Sequence, residues 1–302
     1  GVQVWSRGEE LITERFPEIV ESAARLPAGT VLDGEVLAWR DGRPLGFAAL
    51  QTRIGRLDVS RKALRTAPAA FVAYDLLEES GQDLRELPLR ERRARLAALL
   101  SRGDSAGATT RDARLILSPE APGDTWDALA RGRDESRARG VEGLMLKRWD
   151  SVYQVGRRKG DWWKWKIDPY SVDAVLVYAQ PGHGRRANLL TDYTFAAWDG
   201  TDLVPFAKAY SGLDMGEIEE LDRWIRQHTT ERFGPVRAVR VEHVFELAFE
   251  GIQASPRHRS GIALRFPRIA RWRRDKKPEE ADTLATLREL LRGATEGDEH
   301  GR

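Results

Sequence analysis

Carboxylates and lysines recur in three short segments whose order suggests shared chemistry. Glu142–Lys147 begins with a carboxylate and ends with a lysine, and Trp162–Lys166 alternates tryptophan with lysine. Far upstream, Leu32–Glu35 ends with another carboxylate. Carboxylates and cations on several short strands are typical of a site that handles a nucleotide's phosphates and their divalent metal. Each segment alone also fits a surface hairpin or an amphipathic strand, so the combination and its order are informative.

The lysines of the second segment are predicted to act together. Strand alternation places Lys164 and Lys166 on one face and Trp163 and Trp165 on the other. Two cations directed at one point suit an α-phosphate whose charge grows in a transition state. The alternative is an edge strand kept soluble by lysines. Only 8 of the 49 Lys and Arg residues are lysine, which favours the functional interpretation.

Two carboxylates and two large side chains are candidates for binding a nucleotide. Glu35, which we expect to follow an Asp-Gly turn, and Glu142 would hold a ribose hydroxyl or a divalent cation. The alternative is two surface carboxylates in hairpins. Tyr74 would stack on a base and Met145 would cover its other face, although both residue types are more often part of a core.

Composition limits the class of protein. The 302 residues suggest two domains, and 41% hydrophobic and 32% charged residues are ordinary for a soluble globular protein. The absence of cysteine excludes disulfide scaffolds, thiolate zinc sites and cysteine nucleophiles, and the five histidines show no ligand-like spacing. We therefore expect a cytoplasmic protein that has no membrane partner, and we predict no structural metal.

Positive charge is concentrated near the end of the chain. Residues 257–277 contain nine Lys or Arg residues against one acid, Asp275, although the net charge of the whole chain is only +2. This density favours a surface for phosphate-rich partners. The alternative is a solvated face of a basic protein.

The pattern of strands and helices predicts a mixed α/β (α+β) domain over residues 1–167. Strand-like segments alternate with helical segments at Arg90–Leu100 and Asp124–Arg139, and a loop is predicted at Ser101–Arg111. The strand-like segments are Val2–Trp5, Val31–Trp39, Ala70–Leu76, Arg114–Leu117, Val141–Arg148 and Trp162–Ile167.

A second, strand-rich domain is predicted over residues 168–291, after a hinge near Pro169. Five strands and one helix, Asp214–Arg232, are consistent with an OB-type barrel, a fold often used against nucleic acids. Pro278–Leu291 is predicted as a closing helix, and residues 292–302 as a flexible tail. The five predicted strands are Ser171–Gln180, Tyr193–Trp198, Leu203–Ala209, Ala238–Glu250 and Gly261–Phe266.

Six segments in this order resemble the nucleotidyltransferase motifs of ATP-dependent DNA ligases, and most closely those of bacterial repair ligases described as acting in the cisplatin damage response. The resemblance extends from Gly1 to about Leu290 and implies an adenylation domain followed by an OB-fold domain. The segments are Ser6–Gly8, Leu32–Glu35, Phe71–Asp75, Glu142–Lys147, Trp163–Lys166 and Arg268–Lys276.

The resemblance implies a function in DNA repair: sealing nicks in duplex DNA with ATP, through enzyme-AMP and DNA-adenylate intermediates, with Mg²⁺ or Mn²⁺. It also implies roles for individual residues. Arg7 would contact the AMP or nick phosphate, and Lys164 and Lys166 would hold the α-phosphate. The nucleotide-binding set would be Glu35, Tyr74, Met145, Lys147, Arg271, Arg273 and Lys276, and the metal-binding set Glu142, Glu35 and Asp275.

One departure from the family concerns its nucleophile, which lies in a Lys-x-Asp-Gly motif just before the segment that resembles Gly1–Gly8. No such motif occurs in this sequence. Residues Gly1–Trp5 also read as the middle of a strand. We therefore expect an N-terminal segment to be missing, and we predict that this chain, which we expect to be monomeric, cannot adenylylate itself.

Two other classes of protein remain open from the residues alone. A related capping or RNA-ligase enzyme would share the lysyl-nucleotide chemistry. A nucleotide-preference assay would separate enzymes that use ATP from those that use GTP. A nucleic-acid-binding module without activity would show salt-sensitive binding that is unaffected by replacing Glu142 or Lys166. A ligase module of the bacterial end-joining type is a further alternative within the ligases.

Overall fold

The computed structural model describes residues 1–56, 58–104, 114–156 and 158–299. The chain forms two compact units, Gly1–Ile167 and Asp168–Arg302. The first unit mixes helices with strands and the second consists mostly of strands, so the predicted mixed α/β class is confirmed.

The first unit is built on an antiparallel pair of long strands. Within the described residues its helices are α1 (Pro17–Ala23), α2 (Phe47–Ile54), α3 (Arg61–Thr66), α4 (Leu89–Asp104) and α5 (Trp126–Asp134), and a 3-10 helix spans Thr13–Arg15. Its strands are β1 (Val31–Arg40), β2 (Arg43–Pro44), β3 (Ala69–Glu79), β4 (Gln82–Asp83), β5 (Leu115–Leu117), β6 (Gly143–Lys147) and β7 (Trp162–Lys166).

Two separate sheets carry the candidate site residues of this unit. A five-stranded sheet has the order β2-β1-β3-β4, with β5 parallel to β3, and its core includes the fully buried Leu76, Leu84 and Leu96. Strands β6 and β7 form a two-stranded antiparallel hairpin of their own. Because no ladder of backbone hydrogen bonds joins the hairpin to the larger sheet in the described residues, other contacts must position it.

The second unit is dominated by one curled sheet. The strands of this sheet are β8 (Tyr170–Pro181), β9 (Leu190–Asp199), β10 (Asp202–Ala209), β11 (Thr229–Phe233), β12 (Val236–Val239), β13 (Val244–Phe249) and, after a separate two-stranded sheet of β14 (Gly251–Ala254) and β15 (Ile262–Arg265), β16 (Arg268–Trp272). Its helices are α6 (Met215–Gln227) and α7 (Leu284–Glu299), and 3-10 helices span Gly184–Arg186 and Pro278–Glu280.

The long strand β8 organises this sheet. It pairs with β9 along one edge, and along the other edge first with β13 and then with β12. Strand β13 continues the sheet to β16. A single strand that serves two successive partners along one edge bends the sheet around a core, which contains the fully buried Phe195, Phe245 and Phe249.

Several predicted elements differ from those observed in the first unit. The strand predicted at Val2–Trp5 is wrong, because only an isolated bridge joins Trp5 to Leu11 and the chain turns back between them. The helix predicted over Asp124–Arg139 ends at Asp134, and its capping side chain is that of Thr125. Helices α1 to α3 were not predicted. Residues 105–111 of the loop predicted at Ser101–Arg111 lie outside the described residues.

The second unit also departs from its prediction. The single strand predicted at Ala238–Glu250 is interrupted at residues 240–243, which separate the end of β12 from the start of β13. Strands β11, β14 and β16 were not predicted. The helix predicted to reach Arg232 stops at Gln227, where the chain enters β11. Helix α7 starts later than predicted and continues to Glu299, so residues 292–299 extend the helix instead of forming a tail.

Candidate active site

The β6–β7 hairpin presents its lysines as alternation predicts. In its register Met145 lies opposite Lys164 and Gly143 lies opposite Lys166, so these side chains share one face. Both lysines are exposed, and Met145 is 46% exposed. The opposite face carries Leu144, Leu146, Trp163 and Trp165. The hairpin therefore offers a phosphate two cations from one strand.

Glu142 immediately precedes β6 and lies beside Lys166. The Nζ atom of Lys166 is 2.9 Å from Oε2 of Glu142. The following residue, Gly143, has φ +142°, and a Cβ there would come within 2.4 Å of the backbone oxygen of Trp165. Only glycine fits this backbone, so it allows β7 to approach closely and brings Glu142 next to Lys166.

Glu35 does not follow a hairpin turn, and that expectation is wrong. Asp33 and Gly34 lie in the middle of β1, where the pairing with β3 shifts register between them, as at a β-bulge. A Cβ at Gly34 would come within 2.5 Å of both the Phe71 ring and the backbone oxygen of Val72. The glycine is therefore needed for strand packing, and Glu35 is exposed on β1.

Tyr74 on β3 and Lys147 on β6 bring the sheet and the hairpin into contact. The Lys147 ammonium lies 4.4 Å from the centroid of the Tyr74 ring and 3.9 Å from that of Trp162. Burial lowers the pKa of Lys147 to about 8, although the charges of Asp75 and Asp33 oppose this shift. This partly desolvated cation between two aromatic rings stabilises the contact between the sheet and the hairpin.

Arg7 occupies a different local environment. It is exposed in the turn that links Trp5 to Leu11, where the backbone N–H of Glu9 donates to the Ser6 carbonyl at 3.0 Å. An exposed guanidinium on a tight turn is accessible to a phosphate.

The predicted cations of the second unit are mostly neutralised by carboxylates. Arg273 donates to both carboxylate oxygens of Asp275, at 3.0 and 2.7 Å, and to Oδ2 of Asp173 at 2.8 Å. Lys276 donates to the same Asp173 oxygen at 2.6 Å. The hydrogen bond from Arg273 holds the pKa of Asp275 well below its usual range.

Arg271 is the more accessible cation on β16. Its side chain is 62% exposed and forms one ion pair, at 3.0 Å, with Glu246 on the neighbouring strand. Arg273, by contrast, is only 15% exposed.

The sequence did not point to several residues that shape the site. The Asp33 carboxylate accepts a hydrogen bond from Tyr74 at 3.3 Å and one from Tyr153 at 2.7 Å. Asp75 forms a fully buried, two-bond ion pair with Arg92. Asp33 and Asp75 belong to the recognised motifs, but Tyr153 and Arg92 lie in segments without any motif, so only the fold reveals these two contacts.

Within the residues that the structure describes, no group of three or more His, Cys, Asp or Glu side chains could enclose a metal ion. No helix in the described ranges is long and apolar enough to cross a bilayer.

Two family models match this chain and give the class of protein. Residues 1–166 match the ATP dependent DNA ligase domain, and residues 186–276 match the ATP dependent DNA ligase C terminal region. The chain belongs to the family of ATP-dependent DNA ligases, as the six motifs indicated.

Individual relatives agree with this assignment. The chain is 42% identical to a "Probable DNA ligase" of Koribacter versatilis over 305 residues, which cover 96% of this chain and 53% of that protein. It is also 42% identical to a "Probable DNA ligase" of Opitutus terrae over 320 residues, covering 98% of this chain and 31% of that protein. The chain thus spans about half or less of these two relatives.

Solved structures show the same fold. One described as a structure-function analysis of Lig E DNA ligases superimposes with a TM-score of 0.60 at 17% identity, covering 90% of this chain and 86% of that one. The confirmed fold class is therefore a nucleotidyltransferase domain followed by an OB-fold domain.

Proposed function

We propose that this chain is the catalytic core of an ATP-dependent DNA ligase that seals nicks in duplex DNA. The observation that carries the proposal is the β6–β7 hairpin, which places Lys164 and Lys166 on one face with Glu142 2.9 Å from Lys166. Membership of the family supports it. Because the relatives are longer, the activity of the whole protein is part of the proposal.

The joining step shows why two lysines are useful. The nick's 3′ hydroxyl oxygen bonds to the 5′ phosphorus of the DNA-adenylate, the bond from that phosphorus to AMP breaks, and the hydroxyl proton passes to solvent. Negative charge collects on the departing AMP phosphate and on the oxygens of the reacting phosphate. Lys164 and Lys166 would stabilise this charge as it develops.

The sheet and its neighbours would bind the nucleotide. Tyr74 would stack on adenine and Met145, exposed opposite Lys164, would cover the base. Glu35 would bind the ribose, and the other contacts would come from cations: Arg7 and Lys147 in the first unit and Arg271, Arg273 and Lys276 in the second. The ion pairs of Arg273 and Lys276 with Asp173 must open before either can reach a phosphate, so the more exposed Arg271 is the more accessible of the three.

The proposed metal is Mg²⁺ or Mn²⁺. Mg²⁺ keeps several waters and often binds through one or two carboxylates plus substrate phosphates, so Glu35 and Glu142 suffice as its protein ligands. When bound, the metal would neutralise phosphate charge. Asp275 fits less well, because both of its oxygens already accept hydrogen bonds from Arg273.

The biological setting is also a proposal. We propose that the protein acts in bacterial DNA repair in the cytoplasm, on nicked duplex DNA, and as a monomer. Light scattering of the purified chain tests the monomer, and band-shift binding to nicked and intact duplexes tests the preference for nicks.

The experiment that tests the activity uses a nicked duplex already carrying AMP on its 5′ phosphate, with Mg²⁺ and no ATP. This substrate needs only the joining step. We expect the purified chain to seal it and Glu142→Ala to lose sealing while remaining folded by circular dichroism. No sealing by the folded chain, or equal sealing by Glu142→Ala, would contradict the proposed site.

A further inference from the structure

The Asp33 carboxylate joins two tyrosines that come from distant parts of the chain. One oxygen accepts from the Tyr74 hydroxyl on β3, and the other accepts from the Tyr153 hydroxyl in the segment between β6 and β7. Burial, together with the Asp33 carboxylate, raises the pKa of both tyrosines. Both hydroxyls therefore stay protonated and act as donors near neutral pH.

The backbone of β1 is shaped to direct Asp33 to this position. The register with β3 shifts between Asp33 and Gly34. A bulge turns a side chain away from the direction that regular alternation would give it. The bare Cα of Gly34 then leaves room for the Phe71 ring, which a Cβ would meet at 2.5 Å.

Tyr153 in turn is attached to both the hairpin and the sheet. Its backbone N–H donates to the Arg85 carbonyl at 2.8 Å, and its ring meets the Trp162 ring of β7 edge to face, with centroids 5.8 Å apart. The Arg92 guanidinium lies 5.8 Å from the centre of the same tyrosine ring. Tyr153 therefore connects Asp33 with the strand that carries Lys164 and Lys166.

We propose that Asp33 is a positioning residue that, through Tyr153 and Tyr74, sets the placement of the β6–β7 hairpin against the sheet that carries Glu35. This inference rests on the proposed ligase function of the same residues. It assigns to the first carboxylate of the Leu32–Glu35 motif a role that needs no contact with substrate.

Such a role follows because the candidate site residues are divided between two separate sheets. Glu35 and Tyr74 lie on the five-stranded sheet, whereas Glu142, Lys164 and Lys166 lie on or beside the separate hairpin. Side-chain contacts therefore help to decide how far the lysines lie from the carboxylate of β1. Displacing catalytic groups by about 1 Å can reduce a rate ~100-fold.

The test compares sealing of the pre-adenylylated nick by three variants of the full chain. Asp33→Leu removes both acceptors, and we expect kcat to fall roughly 30-fold while KM for the nick changes less than about 3-fold. Tyr153→Phe removes one hydroxyl and should lower kcat about 5-fold. Asp33→Asn keeps one acceptor and gains a donor for the second hydroxyl, so it should recover most of the activity.

Tyr193→Phe is the matched control. The Tyr193 hydroxyl is buried without a hydrogen-bond partner among the described residues, so its removal breaks no such bond. We expect unchanged kcat. Hydrogen exchange of the β6 and β7 amides supplies a readout that is independent of activity, and it should be faster in Asp33→Leu than in the parent chain.

The outcomes separate this inference from the proposed function. Unchanged kcat in both Asp33→Leu and Tyr153→Phe would overturn the positioning role, whatever happens to hydrogen exchange. A rise in KM for the nick with constant kcat would also overturn it. If the parent chain itself does not seal, the proposed function fails, and unchanged exchange of the hairpin in Asp33→Leu would then show that Asp33 does not hold it. If Asp33→Leu does not fold, the kcat of Tyr153→Phe tests the positioning role in its place.

Discussion

The two basic clusters of this protein look alike in sequence but differ in how their charges are used. In the first unit Lys164 and Lys166 are exposed, and Lys166 forms an ion pair with a partly exposed Glu142. In the second unit Arg273 is 15% exposed and bound by two aspartates, one of which, Asp173, also binds Lys276. The first arrangement leaves cations accessible to a substrate, and the second uses them to hold the fold.

The difference has a physical basis. A cation that is desolvated must be paired, since an unpaired buried charge is costly. A cation at the surface keeps its water and can exchange it for a phosphate. Motif spacing reports only that cations are present, whereas burial and partners decide which of them can meet a ligand.

The largest expected effect concerns the exposed pair. Lys166→Ala should lower kcat for sealing the pre-adenylylated nick by at least about 100-fold, because one charge-stabilising donor is lost from the transition state. Single-turnover sealing measures this. Lys62→Ala, which removes an exposed lysine on α3, is the matched control and should seal at the parental rate. Equal losses in both variants would indicate a general effect of positive charge on sealing and not a specific role of Lys166.

The second prediction concerns the carboxylate that binds the cations of the second unit. Asp173→Ala should lower the free energy of unfolding by about 3 kcal/mol, because it leaves the little-exposed Arg273 and its neighbour Lys276 without their shared carboxylate. Urea unfolding followed by tryptophan fluorescence measures this. Glu142→Ala, which removes the carboxylate of the exposed pair, should change stability by less than about 1 kcal/mol. Similar values for the two variants would remove the distinction between the clusters.

A third prediction concerns the one lysine of the hairpin that is desolvated. The pKa of Lys147 is about 8 when folded against 10.5 as its ordinary value. Between these values the unfolded chain binds more protons, so the free energy of unfolding should rise as pH increases from 8 towards 10. Urea unfolding at pH 7, 8 and 9 measures the slope. Lys147→Met should abolish this contribution, and Lys164→Met should not; an unchanged slope in Lys147→Met would show that the ammonium is solvated.

The smallest expected effect is on the exposed arginine of the second cluster. If Arg271 contacts a DNA phosphate, Arg271→Gln should reduce the slope of log affinity against log salt by about one unit. Fluorescence anisotropy with a nicked duplex from low to moderate salt measures this. Stability should change by less than about 1 kcal/mol, since its ion pair with Glu246 is mostly exposed. An unaltered slope would indicate that this arginine does not reach DNA.

Much of the architecture was predictable because local patterns and tertiary structure agree. The alternating Trp162–Lys166 segment is a strand in the predicted orientation, and the apolar spacing before Leu100 marks the centre of α4. Prediction failed where a tertiary partner overrides a local signal. Asp33 and Gly34 have the composition of a turn, yet pairing with β3 incorporates them into a strand as a bulge.

The candidate site was predictable in its residues but not in its connections. Glu142 and Lys166 belong to recognised motifs, and the hairpin register brings them together. Tyr153 donates to Asp33 from a segment without any motif, and Asp173 is about a hundred residues from the cations that it binds. Contacts across such separations leave no periodic signal in a single sequence.

The sequence by itself determined which chemical groups this protein has and in what order, since residue types and spacing are local properties that a family shares. Its strands, its lysine pair and its membership of the ATP-dependent DNA ligases follow from that order. The tertiary structure decided which cations are accessible and which are clamped, and that Asp33 bridges two tyrosines. Burial and hydrogen bonding depend on what the fold brings alongside each side chain, and that is not a local property.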